Sequence, residues 1–236
     1  MCVVTWMAGA ANCMFERIKV SGDCYRLIPS HFPPIKLFEH LLDPDELDAA
    51  YALESLTNDR LQDEAGNIAL LEPGERIVGP GSSAIMAAFT HTGTESRFTS
   101  GRYGVYYAGL DLDTTIAESC HSRTRFLMAT NETAQTLTMR CYHCKIDSEL
   151  IDLRGNADVH HPTDYAHAQY IAAQLKQQNE NGILYQSVRR PGGECIAALR
   201  PKALTPPAIQ AGHFQFFWDG HAITHIAELK EWKGHV

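Results

Sequence analysis

The spacing of apolar and polar positions changes several times along the chain, and each change marks an element. Residues 24–29 (CYRLIP) read as a short strand ended by proline. An extended connector follows at Pro33-Pro34. Asp43-Pro44-Asp45 has the features of a helix start: a capping aspartate, proline in the first turn and acids at the positive end. Leu47, Ala50, Tyr51 and residues 53–56 keep helical spacing to about Asn58. Residues 61–80 carry Gly66, Pro73, Gly74, Gly79 and Pro80 and read as loop, and the small apolar run 82–89 as a short helix.

Farther on, residues 104–110 (GVYYAGL) alternate as a strand, and Asp111 or Asp113 caps a helix over about 114–127. Strands are expected at 136–146 and 149–153. Thr163-Asp164 caps a helix with Tyr165, Ala168, Ile171, Ala172 and Leu175 on one face, stopping near Asn181-Gly182. The remainder reads as strands at 182–188, 194–200, 213–218 and 222–229, with turns at Pro191-Gly192-Gly193 and Asp219-Gly220. The order is mixed rather than an alternating βαβ series, so the expected fold class is α+β. No G-x-G-x-x-G joins a strand to a helix, which argues against a doubly wound dinucleotide fold, and no internal repeat is visible.

Composition narrows the class further. A chain of 236 residues, 44% apolar and 20% charged, fits one globular domain. Residues 1–24 are weakly patterned, and 25–236 are expected to form a single domain with a helical insert at about 30–90. A net charge of −8 disfavours wrapping nucleic acid by neutralising phosphates. No apolar run approaches the roughly 20 residues that span a bilayer, so no membrane association is expected. No signal peptide is evident, and the odd count of 7 cysteines is not a secreted disulfide framework. The expected compartment is the reducing cytoplasm.

Cys141-Tyr-His-Cys144 has the C-x2-C spacing of a zinc knuckle, but no second C-x2-C exists. His160, His161 and Cys195 are the residues left to complete such a set. The pair falls inside an expected strand, where cysteine behaves as a small apolar residue, so no metal is expected. The 12 histidines make no H-E-x-x-H, and His160-His161 reads as a solvated loop. The histidines are taken as structural or incidental.

Two stretches carry candidate chemistry. Residues 96–108 (SRFTSGRYGVYYA) form a glycine-punctuated basic and aromatic segment, followed by a helix bearing Glu118. Arginines beside glycines suit an anionic ligand approached closely by backbone, and tyrosines offer a stacking face with a polar tip. On the helix, Glu118 shares a side with Thr114, Ser122 and Arg125. In the second stretch, residues 182–195 (GILYQSVRRPGGEC), a strand end places Ser187 beside a basic, glycine-rich turn. Taken singly, these arginines, tyrosines, acid and serine are ordinary surface and strand residues.

Together the two stretches resemble the RES domain family, named for its Arg, Glu and Ser. The likeness runs from about Tyr25 to Leu229, strongest in RFTSGRYGVYYAGLDLDTTIAE and GILYQSVRRPGGECIAALRPKAL and weaker in FFWDGHAIT. It implies an ADP-ribosyltransferase-like core of mixed, mainly antiparallel strands with flanking helices. It also implies an NAD-consuming activity and, for many members, a toxin paired with a helix-turn-helix antitoxin. Arg26, in CYRL, matches the family's first arginine, and Arg97 the arginine of a G-R-W-N-like loop, written S-R-F-T here. Tyr107, 11 residues before Glu118, fits the family aromatic, with Tyr106 as rival. Glu118 matches the acid and Ser187 the serine. Leu27 follows Arg26 where some members carry tyrosine, and residues 30–90 exceed the short members in length.

The resemblance thus implies Glu118, Arg97 and Ser187 as catalytic residues, and Arg26, Arg102, Tyr106 and Tyr107 as NAD-binding ones. Arg26 and Arg97 would hold the pyrophosphate, a tyrosine would stack on nicotinamide, and Ser187 would bond the ribose or the nicotinamide amide. NAD is then substrate rather than cofactor. Water, phosphate as co-substrate, or a target protein is the acceptor, the last making the chain a protein ADP-ribosyltransferase. An inactive nucleotide- or zinc-binding module is the non-enzymatic alternative. A homodimer stays open as the oligomeric state.

Overall fold

The computed structural model of the chain describes residues 15–30 and 66–230. The helix expected from Asp43 and the connector at Pro33-Pro34 lie outside them. One mixed sheet holds β1 (Arg17–Pro29), β2 (Tyr106–Gly109), β3 (Gln135–Asp152), β4 (Gly182–Gln186), β5 (Glu194–Ala198), β6 (Leu204–Trp218) and β7 (Ile223–Leu229). Three α-helices accompany it among the described residues: α1 (Ser83–Thr90), α2 (Leu112–Ala129) and α3 (Ala166–Gln177). This is the expected α+β class.

The strand order is β1-β2-β5-β4-β3-β6-β7, and β1 pairs along its whole length with β3 as well. Pairing therefore closes a circuit through β1, β2, β5, β4 and β3, with β6 and β7 as an arm off β3. Only β3 and β4 run parallel.

Three elements differ from the sequence reading for identifiable reasons. β1 starts at Arg17 rather than at Cys24, because Arg17 to Ser21 pair with Ile151 to Asp147 of β3. β3 is one strand where two were expected, since the polar Asp147-Ser148 step is held in register by Ser21 and Val20. β6 begins at Leu204, nine residues before its expected start at 213, running through Pro206-Pro207. Those prolines fall where the β3–β6 register shifts between His143 and Lys145, and such an irregularity tolerates missing N–H donors.

Each helix covers its own part of the core. Ile85, Met86 and Phe89 of α1 pack with Cys24, Tyr106, Cys144 and Ile146. Ala168, Ile171, Ala172 and Leu175 of α3 pack with Phe98, Ile183, Tyr185 and Ala197. Ile116 and Cys120 of α2 lie against Leu27, Met139, Cys141 and Phe214. Burying a side chain such as Ile171 or Leu175 contributes about 2 kcal/mol. Cys141 and Cys144 belong to different clusters, as an odd spacing on a strand requires, so their sulfurs face opposite sides of the sheet. Gly104 is where the loop before β2 crosses α1: an added Cβ would lie 2.2 Å from the Ala88 carbonyl oxygen. No helix among the described residues is long and apolar enough to cross a membrane.

Candidate functional site

The site forms where α2 crosses the ends of β1, β2 and β5. Asp111 caps α2 by accepting from Thr114 N at 2.8 Å, which settles the choice between the two aspartates. Thr115 Oγ1 donates to the Tyr25 carbonyl at 3.2 Å, tying the helix to β1 beside Arg26. At the other side, Arg190 pairs with Asp111, and with Asp113 at 2.9 Å, binding the turn after β4 to the first turn of α2. Gly193 closes that turn against the helix: a Cβ there would meet Thr114 Oγ1 at 2.4 Å.

These ties enclose a cavity of about 430 Å³ lined by Arg26, Arg97, Tyr107, Glu118, Arg123 and Arg125, among others. That size is in the range of small-molecule sites, roughly 300–1,000 Å³. Glu118 is half-buried on α2, and its Oε1 accepts from Ser187 Oγ at 2.6 Å. Ser187 Oγ in turn accepts from the backbone N–H groups of Arg189 (3.1 Å) and Arg190 (3.0 Å). The serine proton is thus committed to the carboxylate. Ser187 is buried, and its hydroxyl holds the Glu118 carboxylate in place.

Arg97 is buried, with Nη1 donating to the carbonyls of Val159 (2.7 Å) and His161 (2.9 Å) and its guanidinium 4.7 Å above the Tyr165 ring. Its loop is pinned by Gln169 Nε2 donating to the Ser96 carbonyl at 2.9 Å and by the Tyr107 hydroxyl, which accepts from Phe98 N at 2.9 Å. Arg26 donates from Nη1 to the Tyr107 carbonyl at 3.2 Å and lies 4.8 Å over the Tyr106 ring. Its Nε is buried without a hydrogen-bond partner among the described residues, and burial lowers its pKa. Arg123 is lowered likewise, by burial first and then by the charge of Arg26. Arg125 donates to the Tyr165 hydroxyl at 3.2 Å.

None of these four arginines makes an ion pair among the described residues. Among the described residues, Glu118 and Glu95 are the two carboxylates in the cavity lining. Burial raises the Tyr107 phenol, which stays neutral.

Strand alternation separates the two tyrosines. Tyr107 lines the cavity, whereas Tyr106 faces the opposite core, with its hydroxyl 3.4 Å from Cys144 Sγ. Tyr106 thus supports Arg26 from below and is not a wall of the cavity. Arg102 is not brought to the site. It is exposed and lines a separate cavity of about 30 Å³ with Tyr103 and Lys176, because Gly101 (φ +89°) turns the chain away after the Arg97 loop. His160 and His161 are not merely solvated. His160 Nε2 accepts from Gln186 N at 3.0 Å, and His161 Nδ1 from Asp164 N at 2.8 Å, which fixes the segment that holds Arg97.

Sequence reasoning missed Arg123, His121 and Tyr165. His121 lines the cavity one turn after Glu118, and burial together with Arg189, Arg125 and Arg97 lowers its pKa to about 4. A signal was present in the run 118–126 (ESCHSRTRF). It places polar and cationic groups on the turns following Glu118.

A sequence model of the RES domain matches residues 74–219. The match takes in Arg97, Tyr107, Glu118 and Ser187 and leaves out Arg26. The chain is 29% identical over 211 residues to the uncharacterized protein y4oC of Sinorhizobium fredii, covering 89% of this chain and 88% of that one. A chain of the Mycobacterium tuberculosis MbcT–MbcA toxin–antitoxin complex aligns over 90% of this chain and 86% of its own. That alignment has 10% identity and a TM-score of 0.43.

Proposed function

The chain belongs to the RES domain family, and from that premise we propose that its cavity binds NAD and cleaves the nicotinamide–ribose bond. The observation that carries this reading is one half-buried carboxylate, held by Ser187, in a cavity lined by four arginines that have no ion-pair partner among the described residues.

Cleavage of a glycosidic C–N bond builds positive charge on the sugar. A carboxylate near that centre stabilises it, and does so best in a site shielded from water. Glu118 supplies the charge. Ser187 fixes its orientation through Oε1, so that no reorganisation is needed as charge develops. Glu118 acts as the anion, because nicotinamide leaves neutral and needs little acid assistance. Arg26 and Arg97 hold the pyrophosphate, since a planar, permanently charged fork suits phosphate oxygens. Arg123 and Arg125 add charge at the same cavity. The Tyr107 face stacks on nicotinamide.

In this reading the chain is the toxin of a toxin–antitoxin pair, its partner a helix-turn-helix antitoxin, and it acts in the cytoplasm on free NAD. Incubation of the purified protein with adenine-labelled NAD, with and without phosphate, tests the reaction by product mass. Free ADP-ribose or its 1-phosphate is expected. Label appearing only on a protein band would instead identify a protein ADP-ribosyltransferase, and intact NAD would contradict both.

A further inference from the structure

One polar group in the cavity has no role in the fold or in the scheme above. His121 lies on α2 three residues after Glu118 and lines the cavity, and its Nε2 is buried without a hydrogen-bond partner among the described residues. The fold supplies no described group that binds the ring. The charges around it come from three elements: Arg97 from the 96–99 loop, Arg189 from the turn after β4, and Arg125 from the next turn of α2. Glu118 is the carboxylate preceding it on the same helix, and the Tyr165 and Tyr185 rings line the same cavity. A buried ring nitrogen with no protein partner is costly in a folded chain, and such groups concentrate where a ligand completes them.

We propose that His121 is the base that accepts a proton from water as that water attacks the ribose carbon of NAD. The proposal rests on the NAD reading above. The C1′–N bond breaks and its electron pair leaves with neutral nicotinamide. The water oxygen forms the new C1′–O bond, and one water proton passes to Nε2, giving an imidazolium that later releases it to solvent. The sum is NAD⁺ plus water giving ADP-ribose, nicotinamide and one proton.

The cationic surroundings give this base a dependence on substrate. Burial and the three arginines hold the free imidazole at about 4, so it is neutral at ordinary pH but a feeble base. A pyrophosphate beside the arginines offsets their charge and moves the ring back toward the ordinary histidine value of about 6.5. Basicity therefore rises once substrate is bound. Below its pKa the ring is protonated and cannot accept, so activity falls as pH drops. This acid limb lies near the free value in kcat/KM and at higher pH in kcat.

Phosphate offers a contrast, because its dianion attacks without losing a proton. His121→Gln is therefore expected to lower ADP-ribose formation about 100-fold or more while sparing ADP-ribose 1-phosphate formation, and to erase the acid limb of kcat. The experiment follows both products by mass in wild type and His121→Gln, from about pH 5 to about pH 8, with and without phosphate. Active wild type with an unimpaired His121→Gln overturns the base assignment and leaves the NAD reading standing. So does an equal loss of both products with an unchanged pH profile. Wild type inert toward NAD overturns the NAD reading and the base together. NMR titration of the wild-type ring is independent of how the variant folds. The imidazole is expected to titrate at higher pH with ADP-ribose bound, and an unchanged midpoint overturns the proposal.

Discussion

Two groups of arginines in this protein differ in what holds them. Arg154 is paired with Asp152 and Glu194, each at 2.6 Å, Arg200 with Glu75, and Arg190 with Asp111 and Asp113. These guanidinium groups join elements distant in sequence: β3 to β5, the 73–75 turn to the end of β5, and the 187–193 turn to α2. Their charge is neutralised within the fold. The Arg200 and Arg154 hydrogen bonds hold Glu75 and Asp152 below the usual carboxylate range, and Asp111 is lowered first by its hydrogen bonds from Thr114 and then by Arg190. Arg26 and Arg97 are fixed by carbonyl oxygens and aromatic faces, neither of which cancels a positive charge. The first arrangement makes a strut. The second keeps a cation rigid and available to an anion, in a chain whose net charge is −8. Net charge therefore says little about a local site, because the two groups share one sequence and differ only in placement.

Substitutions sharpen this contrast. The largest effect is expected for Glu118→Gln, which keeps size and helix propensity and removes the anion. Its kcat should fall by about 10²–10³, measured as nicotinamide release, with thermal stability unchanged. Ser187→Ala frees the Glu118 carboxylate. It should lower kcat roughly 10- to 100-fold with little change in KM, since binding residues are untouched and only positioning is lost. Arg97→Ala should weaken ADP-ribose binding by about 10- to 100-fold in calorimetry, the value of one or two charge-assisted hydrogen bonds. Arg190→Ala is the control from the other group. Its partners are partly exposed, so about 1 kcal/mol and a midpoint loss of about 2–4 °C is expected, with ADP-ribose affinity within about twofold of wild type. Equal binding losses in Arg97→Ala and Arg190→Ala would erase the distinction between the two groups.

Much of the fold was legible where one periodicity ran long enough. The α2 and α3 helices, β2, β4, β5 and β7 lie within a few residues of their expected bounds, because each carries a clear alternation, face or cap. The failures share a cause: local cues that read as breaks are overruled by a neighbour. Asp147-Ser148 stays in β3 because β1 pairs with it, and Pro206-Pro207 stays in β6 because the register is already shifted there.

At the site, the resemblance picked out Arg26, Arg97, Tyr107, Glu118 and Ser187; the first four line one cavity, and Ser187 is bonded to Glu118. It places Arg102 and Tyr106 elsewhere, for reasons no motif encodes: a left-handed glycine in one case and strand parity in the other. His121 escaped because its importance lies in a missing partner, which only packing reveals.

Cleavage of NAD by Glu118 and its arginines is tested by nicotinamide release from NAD by the purified wild-type chain and by Glu118→Gln, with ADP-ribose affinity measured on both. Release by wild type, a loss of about 10²–10³ in the variant, and ADP-ribose affinity retained within a few-fold are expected. A variant that releases nicotinamide at the wild-type rate, or a wild type that releases none, would contradict it.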